Sequence, residues 1–175
     1  DQLRPDAAIR GLVIRGAGAH FQAGADIDWL AEVAAYPPEP AFAASLATTE
    51  AMRKLNEFPK PTFAVIQGAC FGGGVGITCC VDVALATPAA QFGITEVRVG
   101  VAPTPISTHM VDALGLRQTR RYAITGERFD AAEALMLIER EKINLIGGVP
   151  TNFPFSARRA SPMMAPVGFC TVGIV

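Results

Sequence analysis

Several things are scarce in this 175-residue chain, and each scarcity narrows what it does. Charge of one sign is missing: the formal net charge is −1 and the pI is about 6.1. Nothing in that balance suggests a basic surface of the kind nucleic acids select, although a local patch does not show in the total. Histidine occurs only at His20 and His109, neither with a metal-ligand partner at helical spacing. A hydrogen-bonded or solvated histidine is the expected role of each. The four cysteines, Cys70, Cys79, Cys80 and Cys170, sit in apolar surroundings, which favours reduced core thiols over a disulfide framework. No charged-then-apolar segment opens the chain and no apolar run reaches membrane-spanning length. The expected compartment is the cytosol. No tract is repeated or of low complexity.

What is present is apolar material, half of all residues, against 18% charged. That suits a packed core rather than a disordered chain. Ile9 to Arg15 reads as a buried strand running into the turn Gly16-Ala17-Gly18. Phe21 to Asp28 leads into a small helix that Asp26 can cap. Tyr36 to Pro40 reads as a proline loop. Ala41 to Phe58 reads as a helix with Phe42, Leu46, Thr49, Met52 and Leu55 on one stripe.

Thr62 to Gln67 is expected to form a second strand. Gly72-Gly73-Gly74-Val75-Gly76 then opens a short apolar helix through Cys79 and Cys80. Asp82 to Thr87 reads as a third strand, and Gln91 to Gly93 as a short extended piece. Helices are expected over Thr104 to Leu114 and Arg117 to Thr125, divided at Gly115. Another is expected over Asp130 to Lys142, with Asp130 and Glu133 placed as a capping box. Strands alternating with helices make this an α/β chain. A core over residues 1–142 is expected to give way to a loosely packed tail over 143–175, where Gly147-Gly148 and four prolines bring little periodicity.

Two glycine turns, Ala23 to Asp26 and Gly72 to Gly74, each lead toward a helix. Amides at such a turn lie at the positive end of the helix, and two of them converging hold a developing oxyanion. The alternative is a tight packing point. The glycines fit neither the spacing of a dinucleotide fingerprint nor a phosphate-binding loop, which needs a following Lys-Ser/Thr. Glu96 is the carboxylate that stands out, in an apolar stretch between Phe92-Gly93-Ile94-Thr95 and a strand-like Val97-Arg98-Val99. Such an acid is paired or used, and an ion pair with Arg98 is the alternative to a catalytic role. Asp82 is expected to bond structurally, Trp29 to pack on the core, and Glu127, Arg128, Arg120 and Arg121 to form a solvated face.

Taken together, these segments resemble the enoyl-CoA hydratase/isomerase (crotonase) family. IRGLVIRGAGAHFQAGAD (9–26) is similar to the family's strand and first oxyanion turn. PKPTFAVIQGACFGGGVG (59–76) is similar to its second. CVDVALATPAAQFGITEVRVGV (80–101) resembles the acid-bearing segment, and RRYAITGERFDAAEAL (120–135) the helix pair that follows. The resemblance runs over residues 5–137.

It implies a spiral of repeated ββα units, self-association into trimers or hexamers, and an acyl-CoA thioester as substrate. No separate cofactor is implied, since coenzyme A is part of the substrate. Carried over by position, the carbonyl oxygen would meet the N–H groups of Ala25 and Gly73. Ala23, Ala25, Asp26, Ile27, Asp28 and Gly73 would contact the coenzyme A portion. Glu96 matches one of the two glutamates of many family hydratases, and the other falls at Gly76. The implied reaction is hydration of an enoyl-CoA, with double-bond isomerisation or acyl-CoA binding without catalysis as alternatives. Gly-Val-Gly followed by Phe-Gly-Ile-Thr-Glu resembles a subgroup acting on branched or glutaconyl-type enoyl-CoAs. The family pattern has more chain before Asp1 and a longer helical C-terminus. Leu137 to Thr151 instead resembles a stretch of acyl-CoA synthetases.

Overall fold

The computed structural model describes residues 3–133 and 169–174. β1 (Gly11–Gly16) alternates in the manner of a half-covered strand, with Leu12 and Ile14 turned into the core. It pairs in parallel with β2 (Thr62–Ile66) in the register Leu12↔Thr62 to Arg15↔Val65. β2 pairs in turn with β4 (Val83–Ala86), also parallel. Asp82 sets that second register: its Oδ2 accepts from the Thr62 backbone N–H at 2.7 Å and the Thr62 hydroxyl at 2.8 Å. The structural role expected for Asp82 is therefore visible.

A second sheet joins β3 (Ala69–Phe71), β5 (Gln91–Gly93) and β6 (Arg128–Asp130) in that order. Between the sheets and α4 (Ser107–Thr125) lies the core, including Phe21, Ile66, Cys70, Val75, Ile94, Met110 and Tyr122. Phe129 bridges Phe92 and Tyr122 at centroid distances of 5.5 and 4.3 Å. The short helix α3 (Gly73–Cys80) is buried on the side carrying Gly74, Val75, Gly76 and Cys80. α4 contains the expected break: Gly115 has φ 76° and ψ 153°. At the foot of β6, Asp130 Oδ1 accepts from the Glu133 N–H at 2.8 Å, so the cap read from sequence forms. The rest of that helix, like Leu137 to Thr151, lies outside the described residues.

Other expectations are corrected. The proline loop is short, because α2 (Pro38–Asn56) starts at Pro38. A proline in the first helical turn forfeits only an N–H that has no intrahelical acceptor. The stripe on α2 is buried only toward its C-terminal end. Met52 and Leu55 pack on the core, whereas Phe42 is 69% and Leu46 54% exposed. Trp29, on α1 (Ile27–Ala34), is 40% exposed rather than packed inside, and no residue of α1 is buried. Val97 to Val99 is not extended: Glu96–Val99 forms a 3₁₀ turn, closed by Gly100 in the left-handed region at φ 74°. Most of 143–175 lies outside the described residues, but Phe169–Ile174 forms β7, parallel to β1 from Gly11↔Phe169 to Gly16↔Ile174. The sequence reading assigned no strand there.

Candidate active site at the two glycine turns

The first turn is placed by zipping Phe21 and Gln22 onto β3. The Gln22 N–H donates to Ala69 O at 3.1 Å, and Phe71 N–H returns a bond to Gln22 O at 2.8 Å. Upstream, the Gln67 carboxamide donates to Gly16 O and Gly18 O, both at 3.0 Å. His20 Nδ1 accepts from Ala69 N–H at 3.0 Å, the hydrogen-bonded histidine expected from sequence. Downstream, Asp26 caps α1, its Oδ1 accepting from Asp28 N–H and Trp29 N–H at 2.9 and 3.2 Å. Ala23, Ala25, Asp26, Ile27 and Asp28 are all exposed.

The second turn begins where β3 ends. Gly72 has φ 54° and ψ −122°, a combination that residues with a Cβ rarely hold. Its N–H donates to Gly93 O at 2.8 Å. Gly73, the first residue of α3, has no intrahelical acceptor for its N–H. The two turns meet: Gly24 Cα lies 3.5 Å from where a Cβ on Gly72 would stand. A side chain at Gly72 would thus touch Gly24, the neighbour of Ala25.

Glu96 comes to the same point. Its Oε1 lies 3.2 Å from that Cβ position on Gly72. Its Oε2 is buried and has no hydrogen-bond partner among the described residues. Withdrawal from water pushes the Glu96 carboxyl above its ordinary 4.5, partly offset by a bond from its own backbone N–H. The alternative ion pair with Arg98 does not form. Arg98 instead donates through Nε and Nη2 to Gly126 O at 3.2 and 2.7 Å, strapping the Glu96 turn to the end of α4. Sequence reading treated Arg98 only as an ion-pair candidate and did not single out Gln22.

Position 76 offers no room for a second acid. A Cβ on Gly76 would stand 2.2 Å from Ile106 Cγ2 and 2.8 Å from Ile106 Cβ. Among the described residues Cys70, Cys79 and Cys80 are free thiols packed with the core, and burial pushes Cys79 and Cys80 up to about 12. Arg121 pairs with Glu127 at 2.5 Å on the solvated face, while Arg128 lies 4.7 Å over the Phe71 ring. A hollow of about 460 Å³ on α4, lined by Leu116, Arg117, Arg120, Arg121, Ile124 and Thr125, includes none of the expected site residues. Among the described residues, no three His, Cys, Asp or Glu side chains gather as metal ligands, and no helix is long and apolar enough to cross a membrane.

The sheet and the segments around these turns also have counterparts among known proteins. The profile described as Enoyl-CoA hydratase/isomerase matches residues 1–137, and the chain belongs to that family. It is 34% identical over 137 residues to a hydroxycinnamoyl-CoA hydratase-lyase of Pseudomonas fluorescens, covering 77% of this chain and 50% of that protein. It is 28% identical over 158 residues to a mitochondrial Delta(3,5)-Delta(2,4)-dienoyl-CoA isomerase of Dictyostelium discoideum, covering 85% and 52%. Among solved structures, an enoyl-CoA hydratase from Shewanella pealeana superposes with a TM-score of 0.75 at 39% identity, over 78% of this chain and 51% of that one. The fold is the α/β crotonase fold expected from the motifs. The chain spans about half the length of the relatives it matches.

Proposed function

We propose that these residues form the reacting end of an enoyl-CoA hydratase. The observation that carries the reading is Glu96: a buried carboxylate oxygen without a partner, packed against the turn that opens α3. A desolvated acid costs stability, and a use in proton transfer accounts for its retention.

In this reading the thioester carbonyl oxygen accepts from the N–H groups of Ala25 and Gly73. Water attacks C3 of the conjugated acyl group while Glu96 takes one of its protons. The electron pair of the double bond moves through C2 toward the carbonyl, giving an enolate held by the two amides. Glu96 then delivers the proton to C2, so that hydrogen and hydroxyl are added across the double bond and the carboxylate is restored. The raised proton affinity of Glu96 suits a group that both takes and gives. The exposed Ala23 to Asp28 segment would lie along the coenzyme A portion, with Ile27, 61% exposed, offering apolar surface. Self-association into trimers goes with this reading, and sedimentation velocity checks it.

One observation favours a second reading. Because Ile106 fills the space beside Gly76, Glu96 works without a second carboxylate from that position. A single acid suffices to move a proton between carbons, as in a double-bond isomerase. The test is ultraviolet absorbance with short, branched and aromatic enoyl-CoAs. Loss of the conjugated band with gain of one water in mass supports hydration, and a product of unchanged mass supports isomerisation. Glu96→Gln should cut either turnover by about 10²–10⁴-fold. A fully active variant, or a parent that binds acyl-CoA and turns nothing over, defeats the catalytic reading.

A further inference from the structure

We propose that Gln22 is a positioning residue that fixes the first glycine turn and its distance from the second; the assignment rests on the oxyanion reading above. Its side chain folds back on its own chain two residues ahead. Nε2 donates to Gly24 O at 3.0 Å and Oε1 accepts from Gly24 N–H at 3.2 Å. One carboxamide therefore occupies both backbone polar groups of Gly24, which holds φ 116°. A peptide-like donor and acceptor pair is needed for this: an ionised carboxylate only accepts, and a thioether donates nothing and accepts only weakly.

The clamp has two consequences. With the Gly24 carbonyl engaged, which shares its peptide plane with the Ala25 N–H, Ala25 is left between two fixed points, the Gln22 clamp on one side and the Asp26 cap on the other. Its amide direction is then set before any ligand arrives. The same side chain also stands between the turns. Gln22 Oε1 lies 2.7 Å from where a Cβ on Gly74 would be, and Nε2 3.8 Å from that on Gly73. Because the Gln22 backbone is bonded to β3 on both sides, the spacer does not drift. Two donors must both reach one oxygen, and amide preorganisation of this kind is what an oxyanion site relies on.

The test uses the bound chromophore 2,4-hexadienoyl-CoA, whose absorbance moves to longer wavelength when its carbonyl is polarised. Gln22→Met keeps the length and removes both bonds; Gln22→Glu keeps the acceptor to Gly24 N–H and loses the donor. Hydrogen exchange of peptides spanning residues 21–26 should speed up in Gln22→Met. Its band shift should shrink, with kcat down about 10–100-fold and KM changed less than about threefold. Gln22→Glu should fall between, and it carries the test if the methionine variant does not fold. Gly74→Ala, which pushes the Gln22 carboxamide aside, should reproduce the smaller band shift. Variants that bind and polarise the dienoyl thioester as the parent does overturn the assignment and leave the acyl-CoA reading standing. A parent that shows no band shift overturns that reading, and this assignment with it.

Discussion

The two glycine turns, which the oxyanion reading gives the same task, are built in opposite ways. The first, Ala23 to Asp26, is exposed on its outer side and held by polar bonds: the Gln22 carboxamide and the Asp26 cap. The second, Gly72 to Gly76, is held by exclusion of volume, with Glu96 against Gly72, Gln22 against Gly74 and Ile106 against Gly76. The helices that follow share the contrast. α1 buries no residue, while α3 buries four of its eight. A polar turn on the surface is open to a large ligand. A packed turn in the core supplies a fixed point against which the first is registered.

If that contrast is right, substitutions in the second turn cost most. Gly76→Ala should destabilise by about 1–3 kcal/mol in urea denaturation, because the new methyl group meets Ile106 near its branch rather than at a flexible tip. Combining it with Ile106→Ala should recover part of the loss relative to Ile106→Ala alone. Equal and additive losses would show that the helix shifts freely and that the packed-turn description is wrong. Gly72→Ala should cost about 1–3 kcal/mol by a different route, backbone strain at φ 54°. It should also press on Glu96, so turnover should fall more than stability alone explains. On the open side, Asp26→Ala should cost only about 1 kcal/mol, the worth of a helix cap, seen as faster exchange confined to α1. A global loss from Asp26→Ala as large as that from Gly76→Ala would erase the difference between the turns.

The contrast also shows which parts of the molecule sequence makes legible. β1, β2 and β4 were readable because apolar alternation bounded by glycine or proline leaves few choices. The Asp26 cap was readable because capping is local chemistry. Trp29 was misread, and the outer half of the α2 stripe lies uncovered, because apolar periodicity marks a face without saying that anything covers it. The 3₁₀ turn at Glu96 was hidden by its valines, whose strand preference is overridden by the left-handed Gly100 and the Arg98 strap to Gly126. That strap spans 28 residues, and the Gly76–Ile106 contact spans 30; neither leaves a local signature. Glu96 itself was visible as an acid among apolar residues, but the lost alternative of an Arg98 ion pair needed coordinates. Gln22 carried no signal, since nothing in FQAG says where a glutamine side chain turns.

The smallest effect concerns Glu96 and bears on both turns at once. Desolvation raises its folded-state proton affinity above the ordinary 4.5, and an unfolded chain restores that value. A group shifted this way favours the folded state most when it is protonated, below about pH 4.5. That advantage is lost as pH rises through the folded-state value, and at neutral pH the ionised carboxylate is a cost. Glu96→Gln removes the titration and keeps the shape. The stability of the variant minus that of the parent should therefore be flat in acid, rise with pH above about 4.5, and level off in the variant's favour. Taking the difference cancels the other carboxylates, which titrate alike in both proteins. The rise should be modest, because Glu96 is only half-buried and water still reaches one side. Urea midpoints at a series of pH values measure it. A variant gain at neutral pH joined to a loss of turnover is the pattern of an acid kept for use. A difference that stays flat would mean that water reaches Glu96 in the folded protein as freely as in the unfolded chain, and one that favours the parent at neutral pH would mean that Glu96 has a charged partner in solution.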